Sequence, residues 1–134
     1  MEIIVCLDDR DGMAFNHRRQ SSDMVVTEDI CARAGGAPLY LRAYSLPLFK
    51  DRDVETVAVD DFSQAPADAR CFVEDQPLSP LAEKIDILCI YRWNRHYPAD
   101  LRFDLALADG WQLVESADFA GHSHEKITRE VYHR

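Results

Sequence analysis

Apolar residues occur along the chain in short runs, and polar segments containing glycine or proline separate them. The first run, Ile3 to Leu7, is continuous and rich in β-branched residues, a pattern typical of a strand that is buried on both faces of a sheet. The polar segment Asp8 to Gly12 ends this run. The sequence therefore predicts a central strand over 3–7.

A helix is predicted over 22–34, after a polar loop that follows the first strand. Ser21 or Ser22 can cap its N-terminus, because a serine hydroxyl accepts a hydrogen bond from an amide of the first turn. Its apolar stripe consists of residues four positions apart, Val26, Ile30 and Ala34. Gly35-Gly36 then provides the stop signal.

Strands and short helical or irregular segments alternate through the middle of the chain. The predicted elements are strands at 39–41, 54–59, 71–73 and 87–91, an irregular segment at 45–49, a loop at 63–69 and a short helix at 77–84. From Trp111 the pattern changes to two polar-apolar segments, 111–119 and 125–133, which predict a terminal hairpin. The second of these segments also has apolar residues at helical spacing, Ile127 and Val131.

This order of elements predicts an α/β fold with a mixed, mainly parallel sheet, flanking helices and a C-terminal antiparallel hairpin. The chain has 134 residues, of which 47% are apolar, so we expect a single domain over 1–134 with one core. No apolar run approaches the roughly 20 residues that a membrane-spanning helix needs. The acidic start Met1-Glu2 lacks the basic region of a signal peptide, so we expect a cytoplasmic protein.

The charge of the chain bears on its partners. A formal net charge of −9 opposes binding to DNA, RNA or an anionic membrane surface. One short basic patch, His17-Arg18-Arg19 with Arg10 nearby, can bind a phosphate or a carboxylate, or can be solvated surface. We therefore expect a small-molecule ligand and no nucleic acid or membrane partner.

The four cysteines, Cys6, Cys31, Cys71 and Cys89, are far apart in the sequence, and three of them lie inside apolar runs. Cysteine in such runs behaves as a small buried hydrophobe. We expect free thiols and neither disulfides nor a zinc site.

Several segments together resemble the dihydrofolate reductase family. The run from Ile3 to Met13 resembles its first strand and the start of its active-site loop, and the next helix resembles the one that carries its catalytic acid. The segment His96-Tyr97-Pro98 resembles its aromatic-Phe-Pro turn, and the two C-terminal segments resemble its last two strands. The resemblance implies the reductase fold and places the catalytic acid at Asp23.

The chain departs from the family at the motifs that bind its cofactor. Where the family has a glycine pair that admits a pyrophosphate to a helix N-terminus, this chain has Val73-Glu74-Asp75. Arg18-Arg19-Gln20 stands in place of the Leu-Pro-Trp element, and Arg42-Ala43 replaces a further glycine. We therefore expect no cofactor and no NADPH-dependent reduction.

Short proteins with a similar opening are sometimes named ribonuclease Z, but the residues of this chain do not support that name. That class needs a His-x-His-x-Asp-His cluster, and His122-Ser123-His124-Glu125 is only a fragment of it. The two histidines could share a transition metal if the segment is a strand, but no third ligand is evident. An exposed hairpin loop is the simpler interpretation.

Asp23 is the first candidate functional residue. A carboxyl at the start of a rigid helix can protonate or anchor a ligand's ring nitrogens, and it can instead cap the helix. The folate-side pocket implied by the resemblance would be lined by Val5, Leu7, Asp23 and Val26, with Arg18 and Arg19 positioned for an anionic group.

The acidic residues that follow two strands form the second candidate. If strands 3–7 and 71–73 are parallel neighbours, then Asp8, Asp9, Glu74 and Asp75 all lie at the carboxyl edge of the sheet, where α/β proteins bind ligands. They can bind Mg²⁺ or Mn²⁺, pair with Arg18 or Arg19, or point into solvent.

Three functional hypotheses follow from these residues. The favoured hypothesis is a non-redox protein that binds a small anionic or heterocyclic ligand in the folate-side pocket. The alternatives are a metal-dependent hydrolase or ribonuclease that uses the acidic cluster, and a divergent reductase. The sequence shows no base beside Ser21 or Ser22. It therefore leaves open whether the protein is an enzyme.

Overall fold

The computed structural model describes every residue from Met1 to Arg134 and contains ten strands, one α-helix and three 3₁₀ helices. The strands are β1 (Glu2–Leu7), β2 (Gly12–Phe15), β3 (Arg18–Arg19), β4 (Leu39–Leu41), β5 (Thr56–Ala58), β6 (Arg70–Phe72), β7 (Ile87–Arg92), β8 (Leu101–Arg102), β9 (Gln112–Phe119) and β10 (Ile127–His133). The α-helix α1 is Met24–Ala34, and the 3₁₀ helices are Ala43–Phe49, Phe62–Gln64 and Ser79–Lys84. None of these helices combines the length and the apolar character that crossing a membrane requires.

Seven strands form the main sheet in the order β5-β4-β6-β1-β7-β10-β9. The strand β1 lies at its centre, and both of its neighbours, β6 and β7, run parallel to it. The last strand, β10, is antiparallel to β7 and β9. The mixed α/β fold with a C-terminal hairpin is thus confirmed, and so is the prediction that strands 3–7 and 71–73 are parallel neighbours.

The side chains of β1 alternate between two cores, one on each face of the sheet. Val5 and Leu7 belong to one core, whereas Ile4 belongs to the other. The helix α1 covers only the second face, where Val26 and Ile30 pack with Ile4. This alternation, which every strand imposes, decides which β1 residues lie near the helix.

The N-terminal cap of α1 is Asp23, and neither Ser21 nor Ser22. The Asp23 side chain accepts a hydrogen bond from the Val25 amide at 2.9 Å. The helix therefore begins two residues later than predicted. It ends at Gly35, whose φ of 59° lies in the left-handed region that glycine tolerates best.

The segment predicted as a polar loop after the first strand contains a hairpin. Strands β2 and β3 pair with each other, and β2 also pairs with β8, to form a second, three-stranded sheet. Strands of two to four residues are too short to show an apolar-polar alternation in the sequence. They form because their pairing partners stabilise them.

Two further elements differ from the expectation or resolve an alternative. The helix predicted at 77–84 is a 3₁₀ helix, Ser79–Lys84, so α1 is the only α-helix. The segment 125–133 contains the strand β10, because its backbone pairs with a neighbour on each side. All four cysteines are free thiols, as predicted, and Cys71 and Cys89 are fully buried.

Candidate functional site

Asp23 accepts hydrogen bonds from two parts of the chain. Its donors are the amides of Val25, His122 and Ser123, each at 2.9 Å, the Ser123 hydroxyl at 3.2 Å and His124 Nδ1 at 3.0 Å. Burial by itself raises the pKa of this carboxyl, but hydrogen bonds led by those from His122 and His124 outweigh it and hold the pKa well below its ordinary value. Asp23 is therefore an ionised carboxylate that caps α1 and anchors the loop before β10.

A low pKa matters for the predicted role of Asp23 as a proton donor. A carboxyl that stays ionised at neutral pH holds no proton to give. The alternative interpretation, that Asp23 caps the helix, agrees with its contact to the Val25 amide. Within the site, Asp23 is placed to orient its neighbours.

His124 is buried between Asp23 and an aromatic ring. Its imidazole stacks on Trp93 with 4.6 Å between ring centroids, and its side chain is 2% exposed. The other ring nitrogen, Nε2, lies 2.9 Å from Tyr97 Oη and 3.2 Å from Ser21 Oγ. Because Nδ1 faces a carboxylate, the network assigns the proton to Nδ1 and leaves the lone pair of Nε2 facing the two hydroxyls.

Ser21, His124 and Asp23 thus stand in the order hydroxyl, imidazole, carboxylate. Sequence reasoning missed this arrangement, because 103 residues separate Ser21 from His124. His122, by contrast, is exposed, and it lies with His124 in a loop that is not a strand. The two histidines therefore do not form the metal pair that a strand would have created.

The folate-side pocket predicted from the sequence is not formed by the residues proposed for it. Val5 and Leu7 lie on the sheet face opposite Val26, and all three are fully buried in the cores. On the Val26 side β1 presents Ile4 and Cys6 instead. The prediction was wrong about the face: Val5 and Leu7 share one face of β1, as alternation requires, but this face is the one opposite α1.

The space beside Cys6 is closed. It measures about 10 Å³ and is lined by Cys6, Met13, Arg19, Gln20, Ser21, Val73, Glu74 and Trp93. That volume is close to the minimum that holds one water molecule. The space beside Cys6 is therefore too small for a ligand.

Arg19 is not free to bind an anion. Its guanidinium forms two hydrogen bonds with Glu74, at 2.8 and 3.0 Å, and lies 4.4 Å from the centre of the Tyr44 ring. Glu74 also accepts a hydrogen bond from Ser45 Oγ at 2.7 Å. The prediction that Arg18 and Arg19 act together is thus corrected, since Glu74 neutralises Arg19.

Arg18 is exposed and forms no ion pair, and it lines an outer cavity. This outer cavity has a volume of about 280 Å³ and is lined by Phe15, Asn16, Arg18, Arg19, Gln20, Tyr97 and Pro98. One buried polar atom at its wall, Gln20 Oε1, has no hydrogen-bond partner. The outer cavity therefore offers one free guanidinium, two aromatic rings and an unsatisfied amide oxygen.

The four carboxylates at the sheet edge do not converge, and three of them have separate partners. Asp8 is buried and accepts hydrogen bonds from the amides of Arg10, Gly12 and Tyr97. Burial raises its pKa, and these amides lower it by more. Asp9 is exposed, and Asp75 lies 3.7 Å from Arg42. No three or more His, Cys, Asp or Glu side chains are arranged to hold a metal ion, so the predicted metal cluster is not assembled.

Comparison with known proteins identifies the fold. No protein-family model and no curated protein sequence matches this chain. Among solved structures, the dihydrofolate reductase from Enterococcus faecalis, complexed with NADP(H) and RAB-propyl, matches with a TM-score of 0.68. The match covers 99% of this chain and 95% of that chain at 12% sequence identity. The chain therefore has a dihydrofolate reductase-like fold, which confirms the resemblance found in its sequence.

Proposed function

We propose that this dihydrofolate reductase-like protein is a non-redox protein that binds a small anionic aromatic or heterocyclic ligand. The binding site is the outer cavity between the β2–β3 hairpin and Tyr97-Pro98. The observation that carries the proposal is the guanidinium of Arg18, which stands unpaired at a cavity that also contains the Phe15 and Tyr97 rings. The site differs from the folate-side pocket expected from the sequence, whose interior is closed.

Charge supports an anionic ligand at this place. The chain carries a net charge of −9, so an anion is repelled by most of the surface and needs a local cation. Arg19 shares the cavity but is neutralised by Glu74. Arg18 is left as the cation that can bind a carboxylate or phosphate through two parallel N–H donors.

Shape and lining support a ligand with one or two rings. Ligand cavities for drug-sized molecules span about 300–1,000 Å³, and this cavity has about 280 Å³. Phe15 is 50% exposed, so one face of its ring is open for stacking. An N–H donor on the ligand would satisfy the buried Gln20 Oε1.

The absence of redox chemistry is supported by the segment after β6. Glu74 and Asp75 follow this strand, and the next helix is the six-residue 3₁₀ helix Ser79–Lys84. A pyrophosphate prefers free amides at the start of an α-helix, and this segment leads into no α-helix and carries the bulky side chains of Glu74 and Asp75 where a glycine pair would admit the phosphates. The alternative of a divergent reductase therefore has no supporting contact here.

Thermal shift with benzoate and phenyl phosphate tests the ligand class. We expect both anions to raise the melting temperature of the protein, and neutral benzamide to have no effect. The increase should disappear in Arg18→Ala and persist in Arg10→Ala, which removes an exposed arginine outside the cavity. An equal response to the anions in both variants would place the binding site elsewhere.

Fluorescence titration with NADPH tests the non-redox part of the proposal. We expect no binding at micromolar cofactor concentrations. A micromolar dissociation constant would instead favour the divergent reductase.

A further inference from the structure

The arrangement of Ser21, His124 and Asp23 has a chemical meaning that the proposed ligand site does not use. The Ser21 hydroxyl lies 3.2 Å from His124 Nε2, and His124 Nδ1 lies 3.0 Å from the Asp23 carboxylate. These are hydrogen-bond contacts between a nucleophile and a base, and between the base and the group that orients it. Ser21 is partly exposed to solvent, whereas His124 and Asp23 are buried.

We propose that Ser21, His124 and Asp23 form an acyl-transfer site that hydrolyses small carboxylic esters. This activity does not require the ligand proposed for the outer cavity, although Tyr97 borders that cavity and also contacts His124. Ser21 is the nucleophile, His124 is the general base, and Asp23 is the positioning residue.

The reaction proceeds in two halves. Ser21 Oγ attacks the ester carbonyl carbon while His124 Nε2 takes the hydroxyl proton. The bond to the alcohol oxygen then breaks, and the imidazolium gives its proton to the departing alcohol, which leaves an acyl group on Ser21. A water molecule attacks this acyl group, His124 takes its proton and returns one to Ser21 Oγ, and the carboxylic acid is released. No oxidant, reductant or metal takes part.

The ionised state of Asp23 suits this chemistry. A carboxylate at Nδ1 holds the imidazole in the tautomer whose Nε2 accepts a proton, and it stabilises the imidazolium that forms during the attack. Stacking on Trp93 restricts the orientation of the ring further. The base is therefore held in place before any substrate binds.

Two groups near Ser21 shape the reaction in opposite ways. The amide of Ser22, the residue after the nucleophile, donates no hydrogen bond within the chain. It is free to bind the developing oxyanion, as the corresponding amide does in other serine hydrolases. Tyr97 Oη lies 2.9 Å from Nε2 and competes with Ser21 for the lone pair of the base.

The cavity beside Ser21 cannot hold an acyl chain. It measures only about 10 Å³, so the acyl group of the ester stays on the more exposed side of Ser21. A longer chain therefore gains no binding energy over an acetyl group.

The same contacts would exist if the cluster only fastened the loop of residues 121–124 to α1. The two roles differ in the reactivity of Ser21, since a structural hydroxyl reacts no faster than any exposed serine. The test therefore measures reactivity at that atom.

The full-length protein is treated with a small alkyl fluorophosphonate, and peptide mass spectrometry locates the adduct. We expect the adduct on Ser21, with at least about 10-fold less on its neighbour Ser22, because of these two serines Ser21 alone is hydrogen-bonded to His124. Equal labelling of the two serines, or no labelling of Ser21, would overturn the proposal.

Hydrolysis of p-nitrophenyl acetate provides a second readout. Ser21→Ala should lower the rate to the background that exposed histidines produce, and Ser116→Ala, which removes an exposed hydroxyl on β9, should leave it unchanged. Tyr97→Phe should raise the rate because it frees Nε2, and p-nitrophenyl butyrate should react no faster than the acetate, because no cavity binds the longer chain. A rate that is the same in wild type and Ser21→Ala would show that the cluster is structural.

Discussion

His124 Nδ1 lies 3.0 Å from Oδ2 of Asp23, although 101 residues separate the two in sequence. This contact joins the loop before the last strand to the start of the only α-helix. Both side chains are almost completely excluded from water, with 2% and 0% exposure. The same pair therefore stabilises the fold and orients the imidazole toward Ser21.

Asp23 makes the stability of the protein depend on pH. Its pKa is lower in the folded protein than the roughly 3.9 of an unfolded chain. The stabilisation is therefore complete above about pH 5 and is lost as the pH falls through the unfolded value toward the folded one. Urea unfolding between pH 7 and pH 3 should show a falling free energy of unfolding in the wild type and a flatter profile in Asp23→Asn.

The same variant measures the strength of the cluster. We expect Asp23→Asn to lower the free energy of unfolding at pH 7 by about 3 kcal/mol, because it leaves the donors of His122, Ser123 and His124 without a charged acceptor. Asp68→Asn, which changes an exposed carboxylate, is the matched control. A similar loss in both variants would show that the cluster contributes little.

Gly121 is required by close packing against Asp23. A Cβ at this position would lie 2.6 Å from Asp23 Oδ2 and 2.9 Å from the His124 carbonyl oxygen. Gly121→Ala should therefore destabilise the protein by about 2 kcal/mol, a typical cost of overpacking. A Cβ at Gly110 would have no atom within 4 Å, and only the positive φ of this residue would strain an alanine. Thermal unfolding should therefore show a smaller loss of stability for Gly110→Ala than for Gly121→Ala.

Arg19 and Glu74 form a pair whose partners depend on each other. The Glu74 side chain is only 8% exposed, so Arg19→Ala leaves a buried carboxylate without its counter-ion and should cost about 3 kcal/mol. Replacing both residues by Met and Leu should restore most of this loss, because no charge then remains buried. Chemical unfolding of the wild type, Arg19→Ala and the double variant measures both effects.

An exposed ion pair provides the comparison for that experiment. Arg52 and Glu28 lie 3.2 Å apart, and the Glu28 side chain is 63% exposed. Arg52→Ala should cost less than about 1 kcal/mol. If Arg52→Ala lowered the free energy of unfolding more than Arg19→Ala does, burial would not be what makes the Arg19–Glu74 pair important.

Divalent cations should not stabilise this protein. Amides satisfy Asp8, and Arg19 and Ser45 satisfy Glu74, so neither carboxylate needs a metal. Millimolar Mg²⁺ or Mn²⁺ should shift the melting temperature by no more than ionic screening does. A clear increase that is lost in the double variant Asp8→Asn, Glu74→Gln would instead support the metal-dependent hydrolase.

Much of the fold could be predicted from local pattern. The continuous apolar run at 3–7 predicts the central strand, and the spacing from Val26 to Ala34 predicts α1, because burial requires these periods in any sequence. The pairing of β2 with β3 and β8 could not be predicted, since strands this short are stabilised by distant neighbours. The order of motifs nevertheless identified the fold that the structural comparison confirmed.

The sequence by itself determined the central strand, the helix and the terminal hairpin, because these follow from apolar spacing along a few consecutive residues. Only the tertiary structure decided that Val5 and Leu7 face away from α1, and that Glu74 neutralises Arg19 while Arg18 stays free. It also decided that Ser21 and Asp23 meet His124. Such contacts depend on how distant segments pack, and no local pattern of residues encodes the distance between two side chains 100 positions apart.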